Sequence, residues 1–407
     1  MLVKFYSGFV FAVDLDNGLR VWEAGSLKSC LARIPVVDSP DAPTALVATQ
    51  HQRQNLIEVA VGFESGRFSV YSFDTKILQL CLHFSKTTNG PITMVALSFP
   101  YLLMVTQHKV LSLYKIPPEK DKSAQLETTE GLLLASLKAD SALAPMSLSI
   151  RAVGSEIIAA IVYSFFHIGC GWSLGIQELH FNKIGHQKKC RLATTVDSQY
   201  GMGSLFSPTG GRLSAVGYEN AHGQQHAGHT DPSILHQEPP TSVSYSHPYL
   251  LTSHVDNTLT MYLVVSTAAS LFIRSGRRLW GHTSSVSTVQ VSDRGKAVSV
   301  SSRGGEVRIW ELEALVSSVG THGAPRGDIS IQASPENKQS QEHRDLDVLS
   351  DTPLCQIGET RYIHSLSAYI PRELAQLGSC IGFDDERVLL LREKEVGTQL
   401  LELYDFT

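Results

Sequence analysis

The sequence predicts an all-β protein that folds as a β-propeller of seven blades, each with four antiparallel strands, and with disordered loop insertions. Short runs of alternating apolar and polar residues, separated by turn residues, extend along the 407-residue chain. A unit of about forty residues recurs, which is the period of propeller blades. Without three segments that lack periodicity, about 300 residues remain, or about 43 per blade for seven blades. The same length also allows six or eight blades.

The clearest repeat covers residues 280–311, WGHTSSVSTVQVSDRGKAVSVSSRGGEVRIWE. A Gly-His pair opens it, a Trp-Glu pair closes it, and two glycine-containing turns separate the apolar strands between them. This order is typical of WD40 repeats, in which a His, a Ser or Thr, an Asp and a Trp form a hydrogen-bonded set. His282, Ser302 and Trp310 match three of these positions, and Gly304 stands at the Asp position. We therefore expect this blade to lack the complete network.

Six further blades are predicted from weaker patterns. They are residues 12–23, 59–74, 91–116, 145–181, 250–264 and 365–407. The first of them closes on Trp-Glu, and two others place a Tyr, an aromatic of similar burial area, where the Trp belongs. Alternating strands alone predict the remaining three. The last strand, 398–407, is expected to pack with the N-terminal blade and close the ring.

Residues 157–176 contain no Asp, Glu, Lys or Arg, and such a run is long enough to cross a bilayer as a helix. Three glycines within it and a bias toward β-branched and aromatic residues favour two buried strands joined by a turn. We expect the strands and not the membrane span.

Three segments have no sustained period: 117–131, 199–238 and 313–360. We expect them to be mobile loops inserted into a single WD40-like domain that covers 1–407. The second segment contains four histidines. They are His222, His226, His229 and His236. Histidines in a short tract can bind a transition metal, but the surrounding Gly, Gln and Ala provide no scaffold that fixes ligand geometry, so no metal is expected.

The composition, 43% hydrophobic and 18% charged, is that of a folded globular protein. A formal net charge of -5 leaves no basic excess to neutralise the phosphates of a nucleic acid. The six cysteines have neither zinc-site nor CxxC spacing, so we expect reduced thiols in a cytoplasmic or nuclear protein. No signal peptide, membrane partner or cofactor is expected.

No motif of a serine hydrolase, a nucleotide-binding enzyme or a metalloprotease occurs in the chain, so no catalytic residues are predicted. The expected function is the binding of other proteins. By alignment with the repeat, Arg303, His254 and Glu64 lie at or beside turns between the second and third strands of blades. These turns cluster at one mouth of a propeller, which makes the three residues the predicted partner contacts.

Two segments resemble the C-terminal half of fungal F-box/WD-repeat proteins, which are substrate receptors of cullin-RING ubiquitin ligases. They are residues 279–313, LWGHTSSVSTVQVSDRGKAVSVSSRGGEVRIWELE, and residues 382–407, GFDDERVLLLREKEVGTQLLELYDFT. In that family an F-box motif binds the cullin adaptor while the propeller presents a substrate-docking face. The resemblance implies a substrate-binding propeller of an SCF-type ligase. No F-box is found in the chain, so the alternative function is that of a general WD40 scaffold without a ubiquitin link. Binding of the cullin adaptor is expected only if the full-length protein has an F-box.

Overall fold

The structure is a computed structural model of the chain, and the residues that it describes fall into fourteen ranges. They are 1–24, 29–35, 41–50, 55–117, 131–139, 143–199, 234–292, 294–301, 306–317, 330–333, 363–367, 380–384, 387–395 and 398–405.

The described strands form antiparallel sheets, which we call blades 1 to 6 and the C-terminal sheet. Blade 1 contains β1 (Leu2–Tyr6), β2 (Phe9–Asp14), β3 (Gly18–Glu23) and β4 (Ala32–Ile34). Blade 2 contains β5 (Pro43–Gln50), β6 (Leu56–Phe63), β7 (Arg67–Asp74) and β8 (Gln79–Thr87). Blade 3 contains β9 (Ile92–Ser98), β10 (Tyr101–Thr106), β11 (Val110–Lys115) and β12 (Leu132–Lys138).

Blade 4 contains β13 (Pro145–Val153), β14 (Glu156–His167), β15 (Gly171–Asn182) and β16 (Gln187–Thr194), followed by helix α1 (Thr195–Gln199). Blade 5 contains β17 (Ser242–Ser246), β18 (Tyr249–Ser253), β19 (Leu259–Ser266), β20 (Leu271–Ile273) and β21 (Arg277–Leu279). Blade 6 contains β22 (Val286–Val291), β23 (Lys296–Ser301), β24 (Val307–Glu311), helix α2 (Leu312–Ser317) and β25 (Ser330–Ala333). The C-terminal sheet contains β26 (Ile363–Ser367), β27 (Cys380–Phe383), β28 (Arg387–Glu395) and β29 (Thr398–Asp405).

The sheets are arranged as a propeller. The first strand of each blade contacts the first strand of the next blade, from β1 through β5, β9, β13 and β17 to β22. In blades 1 to 6 the strands follow one another outward in chain order, and in blade 5 the outer position is shared by two short strands that both pair with β19. The all-β propeller is therefore confirmed, but six blades have the regular order and not the predicted seven.

The C-terminal sheet differs from the blades in its strand order, β26-β29-β28-β27. The predicted contact of its last strand with blade 1 is wrong, because β29 pairs with β28 and β26. Instead β27 contacts β1, where a Cβ at Gly382 would lie 2.6 Å from the carbonyl oxygen of Phe5. The chain therefore returns to its own N-terminal strand through β27.

The core lies between neighbouring blades, because both faces of each sheet are covered by another sheet. Every residue of β10 is buried, as are seven of the eight residues of β6. Strands buried on both faces read as continuous apolar runs, which explains why the middle strands lack alternation. The outer strand β8 has two buried residues among mostly exposed ones, and the outer strand β16 is mostly exposed.

Residues 157–176 lie in β14 and β15 with a turn at 168–170, so the predicted pair of strands is confirmed. Their burial is only in part as predicted, because Phe166 and Ile168 at the tip of the hairpin are exposed. No helix in the part of the chain that the structure describes is long and apolar enough to span a membrane.

The predicted insertions coincide in part with residues outside the described ranges, namely 118–130, 200–233, 318–329 and 334–362. Two of their boundaries need correction. Residues 330–333 form β25, which pairs with β24 as the outer strand of blade 6. The segment that begins at Ile234 is also part of the fold, because the backbone of His236 forms a bridge to Gly171.

Candidate protein-binding site

Blade 6 contains a buried hydrogen-bonded set that orders its loops. His282 Nε2 lies 2.6 Å from the hydroxyl oxygen of Ser299, and Trp310 Nε1 donates a hydrogen bond of 2.8 Å to the same oxygen. All three side chains are buried. The serine that links the histidine to the tryptophan is thus Ser299, and the predicted Ser302 lies outside the described residues.

A carboxylate completes this set, although Gly304 was expected at the acidic position. Glu306 Oε2 accepts hydrogen bonds from the backbone nitrogen and hydroxyl of Thr283, at 2.8 and 3.1 Å, and lies 3.3 Å from His282 Nδ1. Arg308 binds the other oxygen, Oε1, at 2.9 Å. Burial would raise the pKa of Glu306, but the hydrogen bonds from Thr283 and Arg308 outweigh it and lower the pKa. Glu306 therefore stays ionised and ties the turn before β24 to the loop before β22.

Blade 5 contains a second histidine in the equivalent place, which the sequence interpretation had assigned to a mobile insertion. His236 is buried, and its Nε2 lies 3.3 Å from the hydroxyl oxygen of Thr260. It precedes the blade-5 aromatic Tyr262 by 26 residues, while His282 precedes Trp310 by 28. This spacing is the signal that could have distinguished His236 from the other histidines of its tract, which lie outside the described residues.

The prediction that His254 is a partner contact at the surface is wrong. His254 is a packing residue that is 4% exposed. Its ring stacks on that of His236, with centroids 3.7 Å apart and planes 4° from parallel. Burial, together with the charge of Arg278, lowers the pKa of His236 to about 4. Burial and the neighbouring His236 lower the pKa of His254 to about 3. Both rings are therefore neutral near pH 7, which permits the stack.

The other two predicted contacts have different outcomes. Glu64 is exposed in the turn between β6 and β7, at the edge where it was expected. Arg303 lies outside the described residues.

The turns between second and third strands share one edge of the sheets with the connections from one blade to the next, because the strands are antiparallel. We call this edge the upper face. On blades 4 and 5 it carries five exposed apolar side chains, the upper apolar patch. They are Phe166, Ile168, Leu235, Val255 and Trp280. Ile168 is 89% exposed, Trp280 67% and Phe166 61%.

On blade 4 the patch is held in place by backbone contacts. The backbone nitrogen of Trp172 donates a hydrogen bond of 2.8 Å to the carbonyl oxygen of His236, which brings the segment containing Leu235 to the tip of the β14–β15 hairpin. The rings of Phe166 and Trp172 pack edge to face with centroids 6.0 Å apart. A Cβ at Gly171 would lie 3.2 Å from Leu235 Cδ1.

On blade 5 the patch is held by a charged residue. The guanidinium of Arg278 lies over the Trp280 ring, 5.6 Å from its centroid, and one of its nitrogens lies 3.8 Å from Asp256 Oδ2. Asp256 follows Val255 in the turn after β18. The stacked His236 and His254 join the blade-4 segment to this turn, so the five apolar residues lie on adjoining parts of the upper face.

The described residues contain no group of three His, Cys, Asp or Glu side chains that could hold a metal ion. A Glu, a Ser and a His do meet in blade 2, where the Ser72 hydroxyl lies 2.9 Å from both carboxylate oxygens of Glu58 and 3.3 Å from His83 Nδ1. Glu58 and Ser72 are both buried. The Ser72 hydroxyl donates to the carboxylate, and this set lies in the core of blade 2.

The whole chain, residues 1–407, matches the family model of the F-box protein pof12 β-propeller. F-box protein pof12 of Schizosaccharomyces pombe is 26% identical over 160 residues, which are 39% of this chain and 28% of that protein. The matched part is therefore less than a third of the relative's length.

The solved structures that match the chain have low sequence identity. The designed protein Ika8 is 13% identical over 99% of this chain and 82% of its own, with a TM-score of 0.42. Saccharomyces cerevisiae Sqt1 is 9% identical over 100% of this chain and 95% of its own, with a TM-score of 0.44. These TM-scores are low, so the assignment rests on the strand pairing and on the family match. The chain belongs to the β-propeller family of F-box protein pof12.

Proposed function

We propose that the chain is a non-enzymatic platform that binds partner proteins through the upper apolar patch and serves as the substrate-binding propeller of a cullin-RING ubiquitin ligase. The observation that carries the binding role is the exposure of Phe166, Ile168 and Trp280 on the upper face of two neighbouring blades. Soluble monomers seldom expose such a patch without a function, and aromatic residues are enriched at protein interfaces. Family membership supports the link to ubiquitin ligases.

We also propose that the C-terminal sheet is a seventh blade, with β26 as its outermost strand. The contacts of β27 with β22 on one side and β1 on the other support this placement. The proposed location is the cytoplasm or the nucleus, which agrees with the free thiols of Cys30, Cys81, Cys170 and Cys190.

The binding role is tested with Ile168→Asp, which places a charge in the centre of the patch. Partners are cross-linked to the tagged chain in cells and identified by mass spectrometry. Because Ile168 is almost fully exposed, the melting temperature should not change while captured partners are lost. The matched control is Ile77→Asp, since Ile77 is 66% exposed in the turn between β7 and β8 on the opposite face. An equal loss of partners in both variants would contradict the assignment of the face.

The ligase role is tested by co-purification of the cullin adaptor with the protein expressed from its complete natural gene. Recovery of the adaptor together with partners that depend on Ile168 supports the ubiquitin-ligase role. Recovery of those partners without the adaptor favours a scaffold that has no ubiquitin link.

A further inference from the structure

The outermost strand of blade 3 is an apolar edge. In β12 (Leu132–Lys138), Leu132 is 60% exposed and Leu133 is 44% exposed, and no charged residue occurs before Lys138. Within the described part of the chain, β12 pairs with β11 and has no strand on its other side. Apart from Leu134, where the register shifts and Gly185 contacts the carbonyl oxygen, its outer row of backbone groups is thus open to pairing with another chain.

A turn of blade 4 extends this apolar surface. Ile184, between β15 and β16, is 67% exposed. The next residue, Gly185, packs so closely on β12 that a Cβ would overlap the carbonyl oxygen of Leu134. Ile184 therefore lies beside the exposed leucines, and together they form what we call the β12 edge.

The outer strand of blade 4, β16, is protected in a way that β12 is not. On β16 the exposed residues include Lys188 and Lys189, and Arg191 follows them. Charged side chains on an edge strand hinder its pairing with other chains. Because the first six residues of β12 lack such charges, the edge is suited to pairing with a strand.

The charges around the β12 edge determine the chemistry of its partner. Lys115 is the register partner of Leu132, Lys183 precedes Ile184, and Lys138 ends the strand. All three are exposed, and none forms an ion pair with another described residue. This group is basic although the whole chain has a net charge of -5. A second copy paired on the same edge would bring like charges together, whereas carboxylates would be attracted.

We propose that the β12 edge binds an extended acidic segment of a partner protein, which adds a strand to blade 3. Backbone hydrogen bonds would provide affinity, and alternate apolar side chains of the segment would cover the leucines and Ile184. The three lysines would select carboxylates at the ends of the segment. This surface is separate from the upper apolar patch and does not depend on the function proposed for it.

The test begins with a displayed library of random heptapeptides, selected on the full chain and counter-selected on Leu133→Lys. Enriched peptides should alternate apolar and polar residues and contain Asp or Glu near their ends. One enriched peptide, labelled with a fluorophore, is then titrated against the variants by anisotropy. Its affinity should fall about tenfold for Leu133→Lys and for Lys115→Glu combined with Lys183→Glu. The control is Leu82→Lys, an exposed leucine on the outer strand of blade 2, which should leave the affinity unchanged.

Amide hydrogen exchange identifies the edge directly. The outward amides of β12 should exchange rapidly in the free chain and slow down when the peptide binds. The proposal is overturned if no peptide is enriched, if the enriched peptides are basic or uncharged, or if Leu82→Lys weakens binding equally. Slow exchange of these amides in the free chain would show that the chain itself or a second copy covers the edge. Binding to phosphatidylserine vesicles that is lost in the same lysine variants would identify a membrane as the ligand instead.

Discussion

The hydrogen-bonded set of blade 6 predicts a large effect for a small change, Ser299→Ala. The substitution removes one oxygen, which accepts the bond from Trp310 Nε1 and lies 2.6 Å from His282 Nε2. Ser299 is fully buried, so no water replaces the hydroxyl. The two ring nitrogens would then remain in the core without this partner.

The magnitude follows from the number of groups that lose their partner. One buried donor or acceptor without a hydrogen bond costs about 1–3 kcal/mol. For Trp310 and His282 together we expect the free energy of unfolding to fall by about 2–4 kcal/mol, because relaxation recovers part of the loss. A matched control is Ser136→Ala on β12, where the serine is exposed and the loss should stay below about 1 kcal/mol.

Urea unfolding followed by circular dichroism measures both variants. Because a propeller can unfold in steps, hydrogen exchange of the β23 and β24 amides provides a local second measurement. The reasoning is refuted if Ser299→Ala destabilises the protein no more than Ser136→Ala does. If Ser302→Ala destabilises the protein and Ser299→Ala does not, the hydrogen-bonding serine is Ser302, as the sequence pattern predicts.

Three other changes follow from buried groups. The free energy of unfolding should fall as the pH drops below about 6.5, because His236 and His254 take up protons in the unfolded chain but not in the folded one. The loss should be about 1.4 kcal/mol per pH unit for each histidine until its folded pKa is reached. Urea unfolding at pH 7 and 5.5 should show a smaller loss in the variant with both histidines changed to Gln. Glu178→Gln removes the buried carboxylate that two arginines contact at 2.9 Å, and should cost about 3–5 kcal/mol in urea unfolding; a loss below about 1 kcal/mol would contradict a charge-dependent role. Gly66→Ala forces a side chain into a backbone with φ of 87° and against the carbonyl oxygen of Thr88, and calorimetry should show a lower melting temperature, with at least about 1–2 kcal/mol lost.

The sequence was sufficient for the fold class and for His282 and Trp310 of the blade-6 set, but not for Ser299 or Glu306. The segment 298–302 reads VSVSS, so three serines compete for one role. Side chains alternate along a strand, and only the pairing of β23 with β24 decides which serine faces the histidine. In that register Ser299 pairs with Arg308, two residues before Trp310, which fixes the shared oxygen.

The sequence also fails to separate surface from core residues where an apolar run continues from a buried strand into a turn. Phe166 and Ile168 lie within an uncharged run, and its composition alone places both residues in the core. The strands β14 and β15 are each 12 residues long, whereas β10 and β11 of blade 3 have six, so the tip of the longer hairpin extends past its neighbours. His254 illustrates the reverse error, since a residue beside a predicted turn is covered by a segment distant in sequence.

Blade 4 connects the two surfaces. The segment bearing Leu235 packs against Gly171 at the start of β15, and Ile184 follows Asn182 at its end. A strand of 12 residues rises about 3.3 Å per residue, so the upper apolar patch and the β12 edge are separated by about 35–40 Å. This distance exceeds the width of an extended peptide several times over, and β15 lies in a sheet packed on both sides. Two partners could therefore bind at once without touching each other, and the rigid blade would hold them at a constant separation, which is the geometry that a platform for assembling proteins requires.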